Sequence, residues 1–133
     1  MTEQDWVHFL ATGVPQSVSV TRIPAVLSRA VGRSSQLVQM HHAYAAKAHN
    51  KHGIDPYRLP MAKITIDLGR ALLDKHGDLQ FFYIEEVIFG KWFQVSVKSK
   101  EACTELWVSS FHTSRPGEVA RHTKRGTILR HFK

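Results

Sequence analysis

The sequence predicts an α+β domain, with N-terminal helices packed on a C-terminal antiparallel sheet. Two observations predict it. Apolar residues recur at helical spacing through the first half, and beyond Gly77 they give way to runs of aromatic and β-branched residues. A chain of 133 residues that is 43% hydrophobic and 22% charged suits one domain with one core, helical over residues 1–77 and sheet with a basic tail over 78–133.

A short N-terminal segment carries Trp6, Phe9 and Leu10. Pro24 then opens a helical stretch through Val31 that Gly32 closes. Ser34 or Ser35 is expected to cap a longer helix running to about His52, because Leu37, Met40, Tyr44 and Ala48 recur at helical spacing and Gly53 stands where a C-terminal glycine belongs. After a turn at Asp55-Pro56-Tyr57, Pro60 starts another helix, with Ile64, Leu68, Ala71 and Leu72 on one side and Gly77 at its end. Three strands follow, over residues 79–89, 92–98 and 106–112. Gly90-Lys91 suits a two-residue hairpin and residues 99–105 a longer connection, so neighbouring strands should pair antiparallel. Beyond Arg115 the basic tail is expected to add a short helix over 118–125 and a last strand over 127–130.

Eighteen Lys and Arg against eleven Asp and Glu give a formal charge of +7, and nine histidines add positive charge in mild acid. That balance points to an anionic partner, nucleic acid first, since Lys and Arg gain affinity by releasing counterions from phosphates. A lone cysteine, Cys103, can form neither an internal disulfide nor a Cys-based zinc site. The N-terminus has acidic Glu3 and Asp5 and no basic, apolar leader, and no window approaches a membrane span. A cytoplasmic protein without a signal peptide and without a membrane partner is expected.

Side chains alternate along strands, so Phe93, Val95 and Val97 should face the helices while Gln94, Ser96 and Lys98 face away. Placing Trp107, Ser109 and Phe111 against the core turns Ser110 and His112 outward beside Lys98. Metal-free RNA cleavage needs a base for the 2′-hydroxyl, an acid for the leaving 5′-oxygen and cations for the crowded phosphorane. His, Lys and Arg supply such roles. Ser, Lys and His on an exposed strand face are equally what a half-solvated sheet shows without any function.

The histidines also raise a metal site, with His42, His49 and His52 on one helix side. No acidic ligand or His-Glu-x-x-His pattern accompanies them, so neither metal nor cofactor is expected. Lys51-His52-Gly53 and Lys75-His76-Gly77 both suit helix ends, where cations favour the dipole and glycine the left-handed cap.

In order, Val18-Ser19-Val20-Thr21-Arg22-Ile23, Lys51-His52-Gly53 after a helix, Leu59-Pro60 before the next, Phe93-Gln94-Val95-Ser96-Val97-Lys98, and the run from Glu105 to Arg115 followed by basic residues cover most of the chain. This order resembles a phage-associated family of barnase, EndoU, colicin and RelE-like nucleases. The resemblance implies a barnase- or RelE-like layer of helices on an antiparallel sheet, and a metal-independent endoribonuclease acting as a toxin or phage-encoded effector. It implies His52, Lys98, Ser110 and His112 as catalytic residues, with Ser109 as the alternative hydroxyl. Thr113, Arg115, Arg121, Lys124 and Arg125 would bind the nucleic acid. The implied partners are RNA, tRNA among its forms, and a cognate immunity or antitoxin protein. Two rival classes remain: an RNA-binding module that stacks bases on an exposed Trp92 beside Gln94 and Lys98, and a phage or host interaction protein that docks on an acidic partner.

Overall fold

Thr2 and Asp5 cap the first helix, α1 (Glu3–Thr12), reciprocally: the Asp5 N–H donates to the Thr2 hydroxyl and the Thr2 N–H to the Asp5 carboxylate. Next come β1 (Ser17–Arg22), α2 (Ala25–Ala30), β2 (Leu37–His41), α3 (His42–Asn50), a 3₁₀ turn (Pro56–Arg58), α4 (Met61–Leu68) and β3 (Arg70–Leu73). They are followed by β4 (Leu79–Glu86), β5 (Lys91–Ser99), β6 (Leu106–Ser114), α5 (Pro116–Arg125) and β7 (Thr127–Arg130). This computed structural model describes residues 1–86, 91–99 and 105–132. Gly90 of the expected hairpin link, most of the expected connection over 99–105, Cys103 and the last residues of the strand expected over 79–89 lie outside the described residues.

The mixed α+β class holds, with a seven-stranded sheet in the order β1-β2-β6-β5-β4-β3-β7. Its make-up differs from expectation. β1, β2 and β3 come from the half expected to be helical, and β2 pairs parallel to β6 through Val38 with Leu106 and Gln39 with Trp107, the other ladders being antiparallel.

Two expected helices are therefore shorter. The one expected from Ser34 or Ser35 to His52 splits into β2 and α3. Val38 and Met40 alternate into the core as strand residues, and the cap is the His41 ring, whose Nδ1 accepts the Ala43 N–H. The apparent helical repeat through Tyr44 was fortuitous, for Tyr44 is exposed. The helix from Pro60 stops at Leu68 rather than Gly77. Gly69 admits no side chain, because a Cβ there would lie 2.4 Å from the backbone oxygens of both Thr65 and Phe82. Ala71 and Leu72 beyond it belong to β3 and point to opposite faces, both buried, so their run of apolar residues imitates a helix. The helix expected near Pro24, the tail helix and the last strand at 127–130 form much as expected.

Both faces of the sheet are covered. On one, α1, α3 and α4 bury Trp6, Phe9, Ala45, Ala48 and Ile66 against Phe81, Phe93, Val95, Val97, Val108 and Phe111. On the other, Val119 of α5 packs on Leu72 and Phe82 with Trp92 alongside. Arg130 fastens the last strand by donating to the carbonyls of Ile66 and Gly69 at the end of α4. Among the described residues no helix is long and apolar enough to cross a membrane.

Candidate active site

A bulge decides which β6 side chains reach which face. Ser96 pairs with Ser110, but Val97 pairs with Val108, so Ser109 is an extra residue in β6. Phe111 therefore shares the core face with Val108 and Leu106, all buried, while Trp107 is only half-buried. The expectation that Trp107 packs in the core with Phe111 is corrected: strict alternation fails across the inserted residue.

On the face carrying α5, Gln94 stands opposite His112 and Ser96 opposite both Gln80 and Ser110. Gln94 and Ser96 are buried rather than solvated, at 4% and 8% exposure. They belong to a hydrogen-bond chain across three strands. The Asp74 carboxylate accepts the His76 and Asp78 N–H groups and the Gln80 amide at 2.9 Å. Gln80 in turn accepts from the Gln94 amide at 3.1 Å and the Ser96 hydroxyl at 2.5 Å. Gln94 accepts from the Ser114 hydroxyl at 2.7 Å, and Ser114 stands 3.5 Å from Nδ1 of His112. Burial alone raises the Asp74 carboxyl, but the hydrogen bonds from Gln80, Asp78 and His76 outweigh it and hold the group below its ordinary value. Nothing in the sequence pointed to this network, because its members lie on three strands and a turn.

His52 and His112, far apart in sequence, meet with ring centres 5.3 Å apart. The encounter follows from the topology. The ladder between β2 and β6 stops at Trp107, the chain leaves β2 as α3, and α3 packs along β6 so that the segment after its last turn reaches His112. The His112 Nδ1–H donates to the Thr113 carbonyl, an acceptor only, which leaves Nε2 for a ligand. Burial, then the neighbouring charges of His112, Lys47 and Lys51, push the His52 imidazole below its ordinary value. Both rings are half-buried.

Ser110 lies two residues before His112 on the same strand face, opposite Ser96. Ser109, the alternative hydroxyl, donates to the Ser96 carbonyl at 3.2 Å. Lys98 is not with the histidines. It is exposed, pairs with Trp107, and is four residues along β5 from Gln94, roughly 13 Å at the rise of a strand. There it faces Asp78, whose carboxyl is raised by burial and by Asp74. Thr113 and Arg115 are exposed where β6 leads into α5, and Arg121, Lys124 and Arg125 are exposed on α5.

The other helical histidines have local tasks. His42 donates through Nε2 to the Leu10 carbonyl and meets the Phe9 ring edge-on, and His49 donates through Nδ1 to the Ile54 carbonyl. Among the described residues no three His, Cys, Asp or Glu side chains are grouped to hold a metal ion. The surface expected for base stacking on Trp92 is also revised. Trp92 is half-buried against the Leu72, Phe82 and Val119 cluster and the Phe132 ring, and Gln94 beside it is buried. Comparison of the chain with protein-family models, with curated proteins and with solved structures gives no match.

Proposed function

We propose that the chain is an endoribonuclease that cuts RNA without metal through a histidine pair, acting as a toxin or phage-encoded effector of barnase- or RelE-like arrangement. The carrying observation is the approach of His52 to His112, with 5.3 Å between ring centres. Two imidazoles at that spacing can serve one phosphodiester, one taking the 2′-hydroxyl proton and the other giving a proton to the departing 5′-oxygen. His52, held toward its neutral form, suits the base. His112, whose Nδ1–H is tied to Thr113, serves as the acid in its doubly protonated form, giving the Nε2 proton to the leaving oxygen and becoming the neutral Nδ1–H imidazole. Lys47 and Lys51 beside His52 supply positive charge for the phosphorane. In this reading Ser110 meets the phosphate, and Lys98 binds the strand away from the scissile bond rather than acting in the chemistry. An immunity or antitoxin protein would cover the same basic face.

The test is incubation of the purified chain with total RNA in EDTA, with end-group analysis of the products. Cleavage leaving 2′,3′-cyclic phosphate and 5′-hydroxyl ends, with DNA intact, is the expected result. A requirement for divalent ion, or equal cutting of DNA, overturns the mechanism. Retarded mobility of RNA that is never cut would instead favour the RNA-binding module.

A further inference from the structure

A concavity of about 300 Å³ lies along the seam between α3 and β6. His41 and Tyr44 line it from the β2–α3 junction, Lys98 and Ser99 from the end of β5, and Trp107 and Ser109 from the bulged part of β6. Its size is at the small end of ligand pockets, roughly 300–1,000 Å³. The two aromatic rings are not core residues: Tyr44 is 38% exposed, and Trp107 is half-buried opposite the Lys98 of the neighbouring strand. Two of its polar groups, His41 and Lys98, are donors suited to an acceptor-rich, anionic ligand, while the Trp107 Nε1–H donates to the Glu105 carboxylate at 2.9 Å and the Ser109 hydroxyl to the Ser96 carbonyl. Nδ1 of His41 is occupied as acceptor for the Ala43 N–H, which leaves Nε2–H to donate, and Lys98 brings a full charge at the rim.

We infer that this concavity is a nucleobase subsite, in which one unpaired base of an RNA strand stacks on Trp107 and Tyr44 while Lys98 meets its backbone. The inference rests on the cleavage reading for the direction of the strand, but the pocket has its own support. Aromatic faces accept any base, and a cation at the rim follows the phosphates, which is how single strands are held. A duplex cannot use the site, since its bases are stacked and their edges are confined to grooves. The subsite also sits at a useful distance. Ser109 precedes His112 by three strand residues, roughly 10 Å, and Tyr44 near the start of α3 precedes its last residue, Asn50, by roughly 9 Å of helix, with His52 just beyond. A short stretch of single strand spans that gap, so a base held at Trp107 would place a neighbouring phosphodiester between the histidines. The position of Lys98 thereby acquires a reason: it stands at the subsite and not at the scissile bond.

The experiment uses the full chain and a 2′-O-methylated single strand, which cannot be cut, carrying one 2-aminopurine. Fluorescence anisotropy reads affinity and 2-aminopurine quenching reads stacking, with a duplex of the same sequence as control. Tyr44→Ala and Trp107→Ala, each checked by thermal melting, should weaken single-strand binding about fivefold to a hundredfold and relieve the quenching. Trp107→Phe should restore most of both, and duplex binding should not respond. Unchanged affinity in folded Tyr44→Ala and Trp107→Ala, equal losses on duplex, or no binding by the parent chain each overturn the subsite. The two readings fail separately: Trp107-dependent binding by a chain that never cuts RNA sinks the cleavage reading and keeps the subsite, whereas cutting by a chain indifferent to both substitutions does the reverse.

Discussion

At the scale of single residues, the chemistry turns on which histidines are already committed. His42 and His49 spend a ring nitrogen on main-chain carbonyls inside the helical layer, and His41 spends one on capping α3. What separates His52 and His112 from these three is their approach to one another, with 5.3 Å between ring centres. His112→Ala should therefore lose roughly a hundredfold or more in cleavage rate with little change in melting temperature, measured side by side on one preparation. His52→Ala should lose rate far beyond any loss of stability, since a helix-end histidine contributes typically about 0.3–1 kcal/mol through the dipole. If both variants stay folded and keep full activity, the histidine mechanism is wrong. The lowered His52 value also fixes the sign of a pH effect. A base with a depressed pKa stays neutral to lower pH, so the acidic limb of kcat/KM should lie below the ordinary histidine range and shift in His52 variants. Stability follows the same direction: the unfolded chain takes up the proton more readily, so the contribution is present above the ordinary value near 6.5 and is lost as pH falls through the folded one.

At the scale of elements, two local features can be tested by single substitutions. One is the helix stop at Gly69, where the chain passes so close to Thr65 and Phe82 that a methyl group meets two carbonyl oxygens at 2.4 Å. Gly69→Ala should destabilise by about 1–3 kcal/mol, the usual cost of overpacking, in a denaturant titration. Its φ is ordinary, so crowding alone is the cause. The other feature is the polar network from Asp74 to Ser114. Removing the Asp74 carboxylate by Asp74→Ala leaves the buried Gln80 amide without its acceptor and should cost about 1–3 kcal/mol. Since Asp74 sits below its ordinary value when folded, its contribution is present at neutral pH and disappears as acid protonates it. Phe111, one strand position from His112, is the contrasting case. It is buried at 1% exposure against Phe93, so Phe111→Ala should unfold readily, at about 3–5 kcal/mol, whatever happens to activity.

At the scale of the whole molecule, part of the charge of +7 is gathered on α5. α5 lies on the same sheet face as His112 and presents Arg121, Lys124 and Arg125 to solvent on neighbouring helical positions. Replacing all three should weaken RNA affinity and flatten the dependence of log K on log salt, by about 0.7 for each single-strand phosphate that is no longer neutralised. The rate at saturating RNA should change little. An affinity and salt slope identical to the parent would make this helix a solvated surface and no part of the interface.

The sequence by itself determined the mixed α+β class, the strands after Gly77 and the tail helix with its final strand, because these depend on local periodicity, turn residues and composition. Only the tertiary structure decided that residues 37–41 and 70–73 are strands. In 70–73 burial on both sheet faces removes the alternation that marks a strand, in 37–41 the alternation of Val38 and Met40 is masked by apolar spacing that runs on into α3, and the close approach that admits only glycine at position 69 involves a carbonyl thirteen residues away, at Phe82. The bulge at Ser109 likewise leaves no mark in the residues it displaces, yet it turns Trp107 out of the core and toward the pocket beside α3. The pairing of His52 with His112 is of the same kind: it exists because a short parallel ladder ends early and a helix continues along the freed edge of β6, a long-range event that residue spacing does not record.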